Sequence, residues 1–418
     1  MSSLVERQPL ALDRPAGAAA VRYPATLTLA AATCALAPAY VVRFRAGPLP
    51  TTLLELAILA TLAVFAAESL RAGTRPAWRT PLTIPAALLL VAGALSVVAS
   101  PGRVSALGLY RAYFVEPILF ALVLVTVVRS WRAALAIVAG LWAGGAAVAL
   151  INLGLEVQQV RQQAFNATWM PQVAVYTSQN AVSLYLDPLV AVAAALVVHC
   201  RDRLARVPAA AFLVVALPAE ALSLSRAGWL ALLAVAAGLA LSMGRRWTIA
   251  AGVAAAGGGL ALLASGRVHT LFEAVKGDTL TGRFEMWQAA VALLRQRPIL
   301  GAGLTGYPEL IRPFWRHYDP LWALHPHDIV LNFWLETGLL GLLAFGALVA
   351  VAAALAWRGW RSAANGWGAL QLGLLLALVA VVVHGLLDVP YFKNDLALEL
   401  WALLALVVAG ARANATAS

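Results

Sequence analysis

Apolar residues run along this chain in long unbroken blocks separated by short polar joints. Blocks long enough to cross a bilayer, about 20 residues each, lie near 24–42, 52–70, 82–100, 107–128, 133–153, 180–200, 208–224, 226–243, 247–264, 327–356, 367–387 and 394–411. The pattern predicts an all-α, polytopic membrane protein of about twelve transmembrane helices. The apolar stretch 207–243 has 37 residues, too many for one span. It suits two spans joined by a very tight turn near Ser223-Leu224-Ser225-Arg226.

Two longer polar segments interrupt the blocks. Residues 154–179 carry Gln158, Gln159, Gln162, Gln163, Asn166 and Trp169. Residues 265–324 carry eight aromatics: Phe272, Phe284, Trp287, Tyr307, Phe314, Trp315, Tyr318 and Trp322. Within that second segment Phe284, Trp287, Val291 and Leu294 recur at helical spacing, which predicts an amphipathic helix over 281–296 lying on the membrane. Pro298 ends it, and Gly301, Gly303 and Gly306 follow as a turn. The chain then divides into a cytoplasmic tail (1–23), nine transmembrane helices (24–264), a large extracytoplasmic loop with short amphipathic helices (265–326), three more transmembrane helices (327–411) and a second cytoplasmic tail (412–418).

Composition agrees with this division. The chain is 62% hydrophobic and 12% charged, against roughly 25% charged residues in a soluble domain. The net charge of +11 comes almost wholly from arginine. It does not imply nucleic acid, because basic residues on the cytoplasmic side of membrane helices give the same excess. With the N-terminus inside, the inner segments hold sixteen basic residues and the short outer loops only six, so both termini are expected in the cytoplasm. The first 22 residues have arginines but no apolar core, as in a tail rather than a cleaved signal peptide. Cys34 and Cys200 fall in different spans near different faces, which argues against a disulfide. There is no metal-spaced Cys/His cluster and no cofactor signature.

Three places at the outer boundary can carry chemistry. The first is His325-Pro326-His327-Asp328, where a polar segment meets an apolar run. At 100° per residue, Gly338 falls within about 20° of His327 and Gly341 within about 40° on one continued helix. A face stripped of side chains packs closely and holds the histidine at the membrane surface. There it can act as general base on a hydroxyl, or simply start the helix, paired with Asp328 and facing water. His325 is as good an actor by these criteria. The second place is Arg226, between Ser225 and Ala227-Gly228-Trp229. It is either a phosphate clamp, a snorkelling arginine beside Trp229, or a partner of Glu220. The third is Arg283, on the amphipathic helix. With Arg226 and His327 on one face it makes a basic cavity suited to a phosphorylated lipid.

Other polar groups read as support. Arg111 and Glu116 pair or line a cavity. Asn332 and Glu336 face away from His327 towards a neighbouring helix. His384, Asp388, Lys393 and Asp395 cluster at the last outer turn, closing the same cavity or capping helices. Asn166-Ala167-Thr168 fits a glycosylation sequon, a pattern too common to use.

Taken together, the chain resembles the O-antigen ligase and polymerase superfamily of membrane glycosyltransferases. His327-Asp328, nine residues, then Gly338-Leu339-Leu340-Gly341 is similar to that family's histidine motif. Thr281-Gly282-Arg283 through Trp287, continuing to Arg297-Pro298-Ile299-Leu300-Gly301-Ala302-Gly303, resembles the segment before it. Ser223-Leu224-Ser225-Arg226-Ala227-Gly228 resembles the arginine-bearing turn upstream. The glycine frame selects His327 over His325. Asp328 departs from the family's Asn, Ser or Gln and sets an acidic group beside the histidine. The resemblance implies a metal-independent, inverting transferase of the GT-C type at the outer face of the cytoplasmic membrane. Its donor would be a glycan on polyprenyl (undecaprenyl) pyrophosphate, and its acceptor a glycan, lipid or protein hydroxyl. It implies that Arg226 and Arg283 hold the pyrophosphate and that His327 orients or deprotonates the acceptor. The other class compatible with such a chain is a transporter of the same lipid-linked glycan, but transporters show repeated halves and mid-membrane polar residues. Here the polar residues gather at the outer boundary and no repeat is evident.

Overall fold

The computed structural model describes residues 23–46, 49–162, 173–264, 279–316, 324–362 and 365–415. The glutamine-rich joint's Gln163, Asn166, Thr168 and Trp169, and the loop aromatics Phe272, Tyr318 and Trp322, lie outside the described residues.

The protein is all-α apart from one antiparallel hairpin, β1 (Arg43–Ala46) with β2 (Leu49–Thr52). Its helices are α1 (Pro24–Ala35), α2 (Leu53–Arg71), α3 (Thr83–Ala99), α4 (Arg103–Tyr110), α5 (Glu116–Val127), α6 (Trp131–Arg161), α7 (Gln179–His199) and α8 (Arg203–Ser223). They continue with α9 (Arg226–Ser242), α10 (Arg245–Ala264), α11 (Thr279–Gln296), α12 (Tyr307–Leu310), α13 (Ile329–Ser362), α14 (Asn365–Gly385) and α15 (Asn394–Ala415). Among the described residues eight helices are long and apolar enough to cross a membrane, with α4 and α5 joined as one: Leu53–Arg71, Arg103–Val127, Trp131–Arg161, Gln179–His199, Arg203–Ser223, Ile329–Ser362, Gly366–Gly385 and Asn394–Asn414. Three more apolar helices, α1, α3 and α9, are shorter than that. Of the twelve expected spans, eight meet the length and hydropathy of a crossing helix among the described residues.

Buried positions concentrate on α7, α14 and α15, which form the centre of the bundle. The continuous block 207–243 does break into two helices. Leu224, between α8 and α9, takes a left-handed φ of +57°, and Ser225 caps the next helix by accepting from the Gly228 amide at 3.2 Å. A π-turn at Arg111–Val115 joins α4 to α5. Its Arg111 sits between two carboxylates, Glu55 at 2.8 Å and Glu116 at 3.2 Å. The expected Arg111–Glu116 pair is thus present, with Glu55 added. Both cysteines are free and buried.

α11 replaces the expected helix over 281–296, but it presents a different face. Met286, Ala289, Ala290, Leu293 and Leu294 are buried against Tyr307, Ile311, Trp315 and Leu335, while Phe284 and Val291 are exposed. The small alanines let α11 approach closely, and that decides the buried side over the size of Phe284.

Candidate functional site

The turn before α13 carries the histidines. Asp328 is the helix cap: its Oδ1 accepts from the Leu331 amide at 2.8 Å and its carbonyl accepts from the Asn332 amide at 2.9 Å. The carboxylate expected to act on His327 is therefore spent on orphan helix amides. His327, one residue earlier, stands outside the helix with φ +49°, a conformation uncommon for a non-glycine residue.

That conformation directs the imidazole to another acid. His327 Nδ1 lies 3.3 Å from Asp388 Oδ1, in the turn between α14 and α15. The second oxygen of Asp388 accepts from Asn180 Nδ2 at 2.9 Å. Asn180 Oδ1 in turn accepts from Ser225 Oγ at 2.9 Å, the residue that caps the helix of Arg226. One hydrogen-bonded path so links the histidine turn, the last outer turn, the start of α7 and the arginine turn. The turn bearing Asp388 is anchored by Tyr391, whose hydroxyl donates to the Tyr113 carbonyl at 2.7 Å, and by packing of Tyr391 and Phe392 on Phe333 of α13.

α11 lies across these turns. Trp287 Nε1 donates to the Pro326 carbonyl at 2.8 Å, and Arg283 Nη1 donates to the Leu387 carbonyl at 2.8 Å. The Arg283 Nε is buried without a hydrogen bond. Burial pushes the Arg283 pKa down; the Asp388 charge opposes this and the Arg226 charge adds to it, so both arginines lie in electrostatic range of one another. Arg226 is exposed at the start of α9, and Glu220 binds Ser183 Oγ at 2.7 Å. The structure thus brings Arg226, Arg283 and His327 to one end of the bundle. It adds Asp388 and Asn180, of which the sequence marked only Asp388, as one of a cluster. A polar residue opening an otherwise apolar span is the signal for Asn180.

Electrostatics separates the two histidines. Burial is the largest cause, and the neighbouring His327 the next, that push the His325 pKa down from 6.5 to about 3. His325 is therefore neutral, and its Nδ1 is buried with no hydrogen-bond partner. Burial works against ionisation of Asp388, but the hydrogen bond from His327 and the electrostatic pull of His327, His325 and His384 together outweigh it and hold the carboxyl well below the usual carboxylate range. His325, His327 and Asp388 each bring one ligand atom within 4.8 Å of the others. No linear motif announces this grouping, because Asp388 joins it only in the fold.

Gly338 and Gly341 do not form a bare face under His327. Gly338 breaks α13 with φ +69° and ψ −179°, so the 100° spacing does not carry across it. The broken backbone is rebuilt by the glycine turn after α11. The Ile299 carbonyl accepts from the Leu339 amide at 2.9 Å, and the Leu335 carbonyl accepts from the Ala302 and Gly303 amides at 2.7 and 3.1 Å. A β-carbon at Gly338 would collide with the Ile299 carbonyl, and one at Gly301 with those of Trp334 and Leu335. Glu336, expected to face a neighbouring helix, instead accepts from the Thr305 amide at 2.8 Å in the same turn. Gly341 packs on Thr337 and on Ala92 of α3. The motif glycines are thus a joint between loop and helix, which fixes the first turns of α13 and the histidine before them.

Residues 211–346, a third of the chain, match the family model for O-antigen ligase. That segment is similar to O-antigen ligase. The match supports the resemblance to the O-antigen ligase and polymerase superfamily. The matched segment contains Arg226, Arg283, His327, Gly338 and Gly341; Asn180 and Asp388 lie on either side of it. No curated protein matches the chain.

Proposed function

We propose that this protein transfers a glycan from polyprenyl (undecaprenyl) pyrophosphate to an acceptor hydroxyl, at the extracytoplasmic face of the cytoplasmic membrane. Twelve spans in a GT-C-like arrangement, with both termini cytoplasmic, accompany this reading. The observation that carries it is the hydrogen-bonded path from His327 through Asp388 and Asn180 to Ser225, which sets a histidine beside Arg283 and the Arg226 turn.

In this reading Asp388 holds the proton of His327 on Nδ1, which leaves the Nε2 lone pair for the acceptor hydroxyl. The acceptor oxygen attacks the anomeric carbon while His327 takes its proton. The bond from that carbon to the pyrophosphate oxygen breaks, and its electron pair leaves with the lipid pyrophosphate. A single displacement inverts the anomeric carbon. Arg226 and Arg283 stabilise the charge that grows on the leaving group, and the orphaned Nε of Arg283 is one donor for it. No step calls for a metal.

A vesicle assay with a lipid-linked oligosaccharide tests this. His327→Ala is expected to lower transfer by roughly 10²–10⁴-fold, the worth of a general base, with unchanged thermal unfolding. Normal turnover in that variant removes His327 from the chemistry. Arg283→Lys keeps the charge and loses the planar fork, so full activity there rules out a bidentate clamp.

A further inference from the structure

The grouping of His325, His327 and Asp388 has the chemistry of a metal site. The separation of 3.3 Å between His327 Nδ1 and Asp388 Oδ1 is long for an imidazole–carboxylate hydrogen bond, about 2.7–2.9 Å. It equals the edge, about 3.3 Å, of a tetrahedron whose centre bonds nitrogen and oxygen at about 2.0–2.1 Å. The His325 ring stands edge-on to the His327 ring with centroids 4.3 Å apart, and its Nδ1 is the buried, unpartnered atom. Ligand atoms within 4.8 Å of one another must close by at most about 1.5 Å to share one ion. Three protein ligands leave a fourth position open, and the His327 side chain is 16% exposed, so an ion can reach it.

The surroundings select the ion. The Arg283 and Lys393 charges lie in range of His325 and oppose any cation bound by charge alone. Magnesium and calcium need six or more oxygen ligands, and this group supplies a single carboxylate. Zinc, cobalt, nickel and copper bond strongly to imidazole nitrogen.

We propose that His325, His327 and Asp388 together bind one divalent ion of the zinc class, and that the bound ion switches transfer off. The ion would take the Nδ1 lone pair of His327 and a lone pair of Asp388, so that the neutral imidazole carries its one proton on Nε2 and no longer accepts one from the acceptor. Only this inhibitory half rests on the proposed function; the binding site stands on the geometry alone.

The test uses the full-length, tag-free protein in detergent, stripped with a chelator and titrated with Co²⁺. The visible absorption of tetrahedral Co²⁺ is expected to saturate at one ion per chain, to vanish on adding Zn²⁺, and to be untouched by Mg²⁺. His325→Ala and Asp388→Asn are each expected to weaken Co²⁺ binding by more than the roughly 10–100-fold that loss of a ligand's hydrogen-bond partner costs. His199→Ala, which alters a histidine bonded to Ser242 elsewhere, should bind as wild type. Wild-type protein without the absorption, or His325→Ala binding as tightly as wild type, overturns the site, and neither result depends on activity. In the transfer assay Zn²⁺ is expected to stop turnover and a chelator to restore it. Cobalt bound with transfer unaffected by Zn²⁺ overturns the switch. Cobalt bound with no transfer under any condition counts against the proposed function and leaves the site intact.

Discussion

Asn180 bonds in two directions at once, giving an N–H to Asp388 and taking an O–H from Ser225, each at 2.9 Å. No other side chain of its size offers both. Asn180→Ala is expected to lower transfer by about 10–100-fold, the effect of losing about 1.5–3 kcal/mol from a hydrogen bond to a charged group. Asn180→Asp is expected to be worse, because it sets a second carboxylate against Asp388. Equal activities for the two variants would mean that Asn180 only fills space. His325 makes a separate prediction. Its folded-state pKa of about 3 lies below the ordinary 6.5. Below pH 6.5 the unfolded chain takes up a proton that the folded chain refuses. The stability tied to His325 is therefore fully present above that pH and is lost as pH falls from 6.5 towards 3. Thermal unfolding across that window should fall less steeply with acid in His325→Asn than in the wild type.

At the scale of elements the joint at Gly338 carries the most consequence. Gly338→Ala combines a left-handed φ with a β-carbon pressed on the Ile299 carbonyl, and is expected to cost roughly 1–3 kcal/mol. A melting temperature equal to that of the wild type would show that loop and helix are not locked there. Much of this level was legible in the sequence. Apolar blocks located the long helices, and the overlong block 207–243 disclosed the turn at Leu224. The arginine and histidine motifs singled out Arg226, Arg283 and His327, which the fold gathers at one end of the bundle. What failed was the extrapolation of helical geometry through the glycines. A helical wheel assumes an unbroken ladder of hydrogen bonds, and here the turn 297–303 supplies some of them from outside. The buried face of α11 was missed for a related reason, since Ala289 and Ala290 matter for how closely they let another element approach. Asn180 and Asp388 are 208 residues apart, and no local period reports such a pair.

For the whole molecule, the end of the bundle that faces out decides the side of the reaction. The excess of arginine at the opposite end predicts that the His327 end is extracytoplasmic. Because both native cysteines are buried, single introduced cysteines report cleanly. Arg103→Cys is expected to react with an impermeant maleimide in intact cells, and Arg203→Cys only after permeabilisation; both positions are exposed. The reverse labelling pattern would invert the topology and with it the side of the reaction. The path through Asn180 and Asp388 also bears on how the protein can be divided. A fragment cut at the borders of the O-antigen ligase match, residues 211–346, would keep Arg226, Arg283 and His327, and it would leave behind the asparagine and the aspartate that hold them in register. Every recognisable letter of the motif would survive in such a piece, and the spelling would no longer fix a shape.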